Sequence, residues 1–478
     1  MPSHKSGQKI SKARFMVVMS DWETGSVHTE AYPDSKRPST LPPIEIKEGK
    51  DEKNKISTTF ALINLFKGMV GPGCFALPLS FKQAGLWAGF ALVFLLGIVS
   101  SICMVKLVRC SQYLCKRNKK SALDYGQMAE EAFRSSFAPF QRVPLAGKIL
   151  VNGCLIALQL GICSVFYIFV VEHAQEVVDH IWPHNTISKN LYFLFALPCF
   201  LLLCTVRTIR VISWICLFGN ILMATSLTII LQELVRGEHY SVNALPAITD
   251  ANGVSLAAGS ILYALEGQAV VLPLENKMQE PKAMKGPTGV LVTGVNLVSL
   301  IYAGCGFYGY LTYGNDVQAS VTLNLTNSPL DFSVKCMLLT VVFSGFLIQQ
   351  FPLVEMIWPP VKDWLNEKKV SRPRRILFEY LFRYSIVFIA LGLSFAIPNL
   401  DDIIPLVGVT AGMMLALVLP ACLETICFLP VWLKEWPKWR IALQLASNGF
   451  FAALGIFFIV TGLIANIKQL INGHSETS

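Results

Sequence analysis

The sequence predicts an all-α polytopic membrane protein: two inverted groups of five transmembrane helices, followed by an eleventh. Three observations carry this. Charge is scarce, apolar runs recur along the chain, and two of those runs are broken by glycine and proline at matching places. Only 15% of the 478 residues are charged and 53% are hydrophobic, whereas a soluble protein carries about 25% charged residues. The scarcity is uneven, because the first 55 residues hold 18 of the 71 charges. This balance excludes a nucleic-acid-binding domain, despite the net charge of +9, and points away from a soluble enzyme. Eleven spans of about 20 residues each use roughly 220 residues, which the apolar runs supply.

The runs fall at 56–80, 84–108, 148–172, 191–206, 211–232, 254–275, 289–313, 333–358, 384–400, 403–428 and 440–466. Helix is the assignment, since lipid offers no water to unpaired backbone groups. Segments such as "FALVFLLGIVSSICMV" (90–105) lack the alternation of a membrane strand. The polar first 55 residues contain Pro33, Pro38, Pro42 and Pro43. They read as a disordered tail with no secretory signal, long enough to hold a partner. Residues 56–466 form the membrane domain, and 467–478 a short tail on the opposite side.

Lys and Arg set the expected orientation. With the N-terminus in the cytoplasm, the inner loops hold 22 even without the tail, against five outside: Lys82, Lys189, Arg236, Lys335 and Lys468. That is a strong positive-inside signal. The sequon Asn324-Leu325-Thr326 then lies outside, which makes Asn324 the glycosylation candidate. None of the 13 cysteines falls in an outer loop, so no structural disulfide is expected.

The first break is "NLFKGMVGPGCFALP" (64–78), which concentrates Gly68, Gly71, Pro72, Gly73 and Pro78 in one span. The second is "YALEGQAVVLPLENK" (263–277), with Gly267 and Pro273. Both lie near mid-depth by helical rise. The long connection between spans two and three is matched, on the other side, by residues 314–332 between spans seven and eight. Matched broken helices in two inverted halves point to a transporter's binding site. Unwinding frees N–H groups at a half-helix N-terminus, where an anion is favoured. It also frees carbonyls that accept from an ammonium group. A zwitterion suits such a site.

Several stretches resemble one family. "NLFKGMVGPGCFALPLSFKQAG" (64–85), "QLGICSVFYIFV" (159–170), "EGQAVVLPLENKM" (266–278), "FRYSIVFIALGLSFAIPNLDDIIPLVG" (382–408) and "LALVLPACLE" (415–424) are similar, in order, to motifs of the proton-coupled amino acid transporters. That family belongs to the amino acid/auxin permease group, within the amino acid–polyamine–organocation superfamily. The resemblance implies a LeuT-type fold and no enzyme activity. It implies transport of small neutral amino acids at the plasma membrane or at lysosomal and endosomal membranes. Two departures stand out. Asn64 occupies the position of a family histidine implicated in proton coupling, and Pro72 replaces a threonine, removing one N–H donor.

Lys67 and Glu266 are charges at mid-depth and are expected to pair across the two breaks. Glu266 is the leading candidate for the titrating group, with Glu355 and Glu424 behind it, because none of the seven histidines lies deep in a span. The substrate is expected against Gly68, Met69, Val70, Gly71, Gly73 and Gly267, with Phe166, Tyr167, Tyr263 and Gln350 forming the pocket wall. Sodium is the competing coupling ion, through Thr340 and Ser344; no resident metal or cofactor is expected. Arg383 is expected to snorkel at the edge of span nine, and Tyr125-Gly126-Gln127-Met128 matches a tyrosine sorting pattern. Proton-coupled symport by alternating access is the leading function. An uncoupled exchanger or facilitator, and an amino acid sensor, are the alternatives.

Overall fold

The computed structural model describes residues 55–476, apart from 183, 185, 208 and 327. The tail assigned to the first 55 residues therefore lies almost wholly outside the described residues. The first span is bent: α1 (Thr58–Met69) and the 3₁₀ turn Pro72–Ala76 leading into α2 (Leu77–Ala84) meet at 50°. Ser57 caps α1 by accepting from Phe60 N. Val70 and Gly71 then turn extended, and Pro72 restarts the chain, since its fixed φ suits a first helical position while its missing N–H interrupts a ladder.

Next come α3 (Leu86–Asn118), the short amphipathic α4 (Tyr125–Arg134), α5 (Pro144–Ile181), α6 (Lys189–Leu203) and α7 (Ile209–Arg236). The second half begins with another broken span, α8 (Ala251–Ala264) and α9 (Gln268–Asn276), followed by α10 (Val290–Tyr313). Then α11 (Pro329–Glu367), α12 (Arg372–Ala396) and α13 (Leu400–Glu435) complete it, and α14 (Lys438–Glu476) is the extra helix. Among the described residues nine helices are long and apolar enough to cross a membrane, ten if the bent pair is one span. The shorter α6, at 15 residues, is the remaining apolar segment of the eleven.

The two connecting segments correspond as expected. α4, opened by a reciprocal capping box of Asp124 and Gln127, packs on α5. Its counterpart is the turn Val321–Asn324, which packs on the 3₁₀ turn of the first span and on α2. Tyr125 faces the core, donating to Leu415 O at 3.2 Å. The sorting pattern it begins is therefore folded away. Asn324 is held at both ends of its amide, accepting from Gln318 N and donating to Asp316 O.

α13 is not uniform. It is π-helical over Gly408–Gly412 and Met414–Val418, a wider winding that recurs at functional sites. There it touches α8 backbone to backbone: a Cβ added at Gly408 would stand 1.9 Å from Gly259 O. Only a residue without a side chain permits that approach. Gly408→Ala is expected to destabilise the fold by about 1–3 kcal/mol through overpacking, read as a lowered melting temperature of the detergent-solubilised protein.

Candidate functional site

Lipid leaves no water for the groups that a helix break exposes, so each broken carbonyl needs a partner. One side chain serves both breaks. The Tyr302 hydroxyl, from α10, lies 2.7 Å from Met69 O and 3.1 Å from Ala264 O. These carbonyls lie at the ends of α1 and α8, and the single phenolic hydrogen is shared between them. Tyr302 is fully buried. Around it the half-helices interlock: Gly267 packs on the Met69 side chain and Gly68 on Val270. At Gly73 an added Cβ would meet Ala264 Cα at 3.1 Å, so the two breaks approach through a glycine.

Beside this junction is a small cavity with room for about one water molecule. Pro72, Gly73 and Ala76 form its floor from the first break, and Tyr263 borders it from the second. Val165, Phe166 and Phe169 of α5 and Val342 of α11 form its sides, with Leu400 and Ile404 of α13. Ala319 and Ser320, from the segment before Val321–Asn324, cover it. The wall is almost entirely apolar, and Ser320 and Tyr263 bring the side-chain hydroxyls.

Of the residues expected here, Gly73, Phe166 and Tyr263 line the cavity. Gly71 opens the adjacent turn, with space beside its Cα. Gly68, Met69 and Gly267 instead form the contact between half-helices, with half-buried Val70 ending α1. Two expectations are corrected. Tyr167 is buried away from the cavity, its hydroxyl donating to Phe193 O at 2.7 Å and its ring stacked on Phe200. It is the neighbour of a lining residue, and one step around a helix points about 100° elsewhere. Gln350 donates to Arg383 O at 2.6 Å and ties α11 to α12. Thr340 and Ser344 donate to carbonyls of their own helix, and neither lines the cavity.

The expected Lys67–Glu266 pair is also corrected. Lys67 is on the exposed face of α1, while the Glu266 carboxylate turns onto the start of α9 and accepts from Gln268 N at 3.0 Å. It fills the anion position that the free N–H groups of a half-helix create. A buried charge pair lies elsewhere. Lys106 of α3 bonds Glu424 of α13 at 2.7 Å, and also the side-chain oxygen of Asn448 on α14. Gln444 donates to the same carboxylate, Asn448 donates to Thr425, and the ammonium faces the Phe451 ring. Lys106 lies near the end of the predicted span 84–108, and its partners come from spans ten and eleven, more than 300 positions away. Arg383 likewise does not snorkel. It is buried against Glu379, which also holds Arg207 through two bonds.

Two broken helices crossing beside a small cavity are the layout of the LeuT-type membrane fold. A solved structure described as the inward-facing conformation of Mhp1 matches 88% of this chain and 90% of its own, with a TM-score of 0.53 at 10% identity. That likeness is one of fold. The family model described as "Transmembrane amino acid transporter protein" matches residues 54–467, and the chain belongs to that family. It is 30% identical to the probable amino acid transporter skat-1 of Caenorhabditis elegans, over 88% of this chain and 92% of that one. It is 27% identical to the proton-coupled amino acid transporter-like protein pathetic of Drosophila melanogaster, over 89% and 88%.

Two outcomes check this site. Tyr302→Phe leaves two buried carbonyls without their donor and is expected to cost about 1–3 kcal/mol, read as a melting shift. Lys106→Met strands a buried carboxylate and is expected to cost about 3–5 kcal/mol, whereas Lys106→Met with Glu424→Leu recovers most of the loss. A double variant no more stable than the single one would refute the compensation.

Proposed function

We propose that the protein is a secondary active transporter of small neutral amino acids, driven by protons and working by alternating access. The observation that supports this is the cavity where the two breaks meet, lined on one side by Ala319 and Ser320 and too small in this state for a substrate. A substrate carboxylate docks at the start of the Pro72–Ala76 turn, where Gly73 presents backbone without a side chain in the way. The apolar walls from α5 and α13 receive a short side chain. Widening the cavity requires those walls to part, which is the motion that alternating access demands. The Lys and Arg distribution favours a cytoplasmic N-terminus and puts residues 317–325 on the extracytoplasmic side. The resident membrane is the plasma membrane or a lysosomal or endosomal one.

Glu266 is assigned to positioning. Its charge braces the start of α9, and a carboxylate there stabilises a helix by about 0.3–1 kcal/mol. The test is uptake into proteoliposomes of glycine, L-alanine, L-proline, L-leucine and L-glutamate, with and without an inward pH gradient. Saturable uptake of the small neutral members, faster with the gradient, is expected. Rates that ignore the gradient would remove proton coupling, and binding without flux would favour a sensor. Glu266→Gln is expected to slow uptake while keeping its pH dependence. Loss of that dependence would return Glu266 to the coupling role.

A further inference from the structure

His173 lies in the last third of α5, just past the span the sequence predicts, and it is fully buried. Its ring lies flat on Phe169, with centroids 3.8 Å apart. Its Nδ1 is 2.9 Å from the Phe169 carbonyl oxygen. A carbonyl only accepts, so Nδ1 carries the hydrogen and Nε2 is the basic nitrogen of a neutral ring. That nitrogen is 2.5 Å from the Thr322 hydroxyl, which is 2.6 Å from the Ser320 hydroxyl. Ser320 and Phe169 both line the cavity. An unbroken chain of hydrogen bonds therefore leads from the cavity to a histidine behind its wall. In this state its direction is fixed. Thr322 donates to His173 and Ser320 donates to Thr322, so the oxygen of the cavity-lining Ser320 keeps only lone pairs for a further partner.

Resting on the proton-driven reading above, we propose that His173 is the group whose protonation is linked to amino acid binding, through Thr322 and Ser320. A proton arriving on the Ser320 oxygen displaces that hydroxyl's own hydrogen to Thr322. The Thr322 hydrogen passes to Nε2. One proton is gained, every hydroxyl keeps one hydrogen, and the chain is reversed. His173 now donates to Thr322, Thr322 donates to Ser320, and the Ser320 hydroxyl points its hydrogen into the cavity. There it joins Gly73 as a donor for the substrate carboxylate, where before it offered lone pairs. Proton and carboxylate favour each other's binding, which is the thermodynamic requirement of a symporter.

Both cations around the ring are paired. Lys335 of α11 pairs with Glu176, one turn along α5, and donates to Leu325 O at 2.9 Å. Lys189 of α6 pairs with Glu172 at 2.9 Å. Asp331 at the start of α11 accepts from Thr326, with Glu233 of α7 beside it. Each cation has its own carboxylate, and Asp331 and Glu233 form a carboxylate pair away from the cavity lining, so of these groups the imidazole is the one tied to the cavity.

The decisive variant is Thr322→Val, which removes the middle hydroxyl at nearly constant shape and does not itself line the cavity. The full-length protein is reconstituted, and the KM of the best-transported of the five amino acids is followed from pH 8 to pH 6. The wild type is expected to bind at least fivefold more tightly at pH 6, within the usual range of coupling. Thr322→Val and His173→Gln are expected to vary by less than twofold across the same range, and Glu266→Gln to keep the wild-type slope. A Thr322→Val protein with the wild-type slope overturns the proposal. So does a wild type that transports with a flat KM, although amino acid transport then stands. A wild type that takes up none of the five overturns both readings. Should His173→Gln fail to fold, Thr322→Val still decides.

Discussion

A helix broken inside a membrane is tolerable only if its freed carbonyls find donors, and the Tyr302 hydroxyl meets that demand for both breaks at once. Through this contact the ends of α1 and α8 are held at one point. The glycines then decide how close the rest can come. Gly73 lets the first break lie against Ala264, and Gly267 lets the second lie against Met69. The cavity follows from this junction. Two unwound segments cannot fill the space that continuous helices would, and the gap is walled by the aromatic and branched side chains of α5 and α13.

Charge is handled by the same rule. Buried ions are tolerable only when paired and hydrogen-bonded, and the deeply buried lysines are accounted for. Lys106 has Glu424 and Asn448, and Lys335 has Glu176 and Leu325 O. Glu266 is a different solution, with a half-helix N-terminus in place of a cation. These arrangements stiffen three separate regions and leave the cavity wall between them apolar. In that setting a single hydroxyl, Ser320, has an outsized effect on what the cavity can bind.

What was legible in the sequence follows from which signals are local. Apolar runs and Gly-Pro clusters are local, so the spans, both breaks and the matched connections could be read off. Of the aromatic residues expected in the pocket wall, Phe166 and Tyr263 line the cavity and Tyr167 does not, because its direction depends on one-residue phase. Lys67 and Glu266 were joined because both lie at similar depth, yet depth says nothing about azimuth, and they face different neighbours. Tyr302 and Asn448 gave no signal: one tyrosine or asparagine in an apolar run reads as packing until its long-range partner is known. His173 falls one residue past the predicted span 148–172, while α5 continues to Ile181.

The extra helix α14 has a consequence for the symmetry of the molecule. Asn448 engages the Lys106–Glu424 pair, and Thr461 lies 3.1 Å from Ser255 of α8. Thr461 braces α8 of the second half, while Asn448 ties α3 of the first half to α13 of the second; the first half has no counterpart of α14. The last helix of each half shows the difference, since 78% of the apolar window of α13 is buried and only 22% of that of α7. The inverted repeat is therefore a symmetry of chain path and not of mechanical support. Of two helices with equivalent places in the plan, one is mostly enclosed by protein and the other is mostly exposed at the protein's surface.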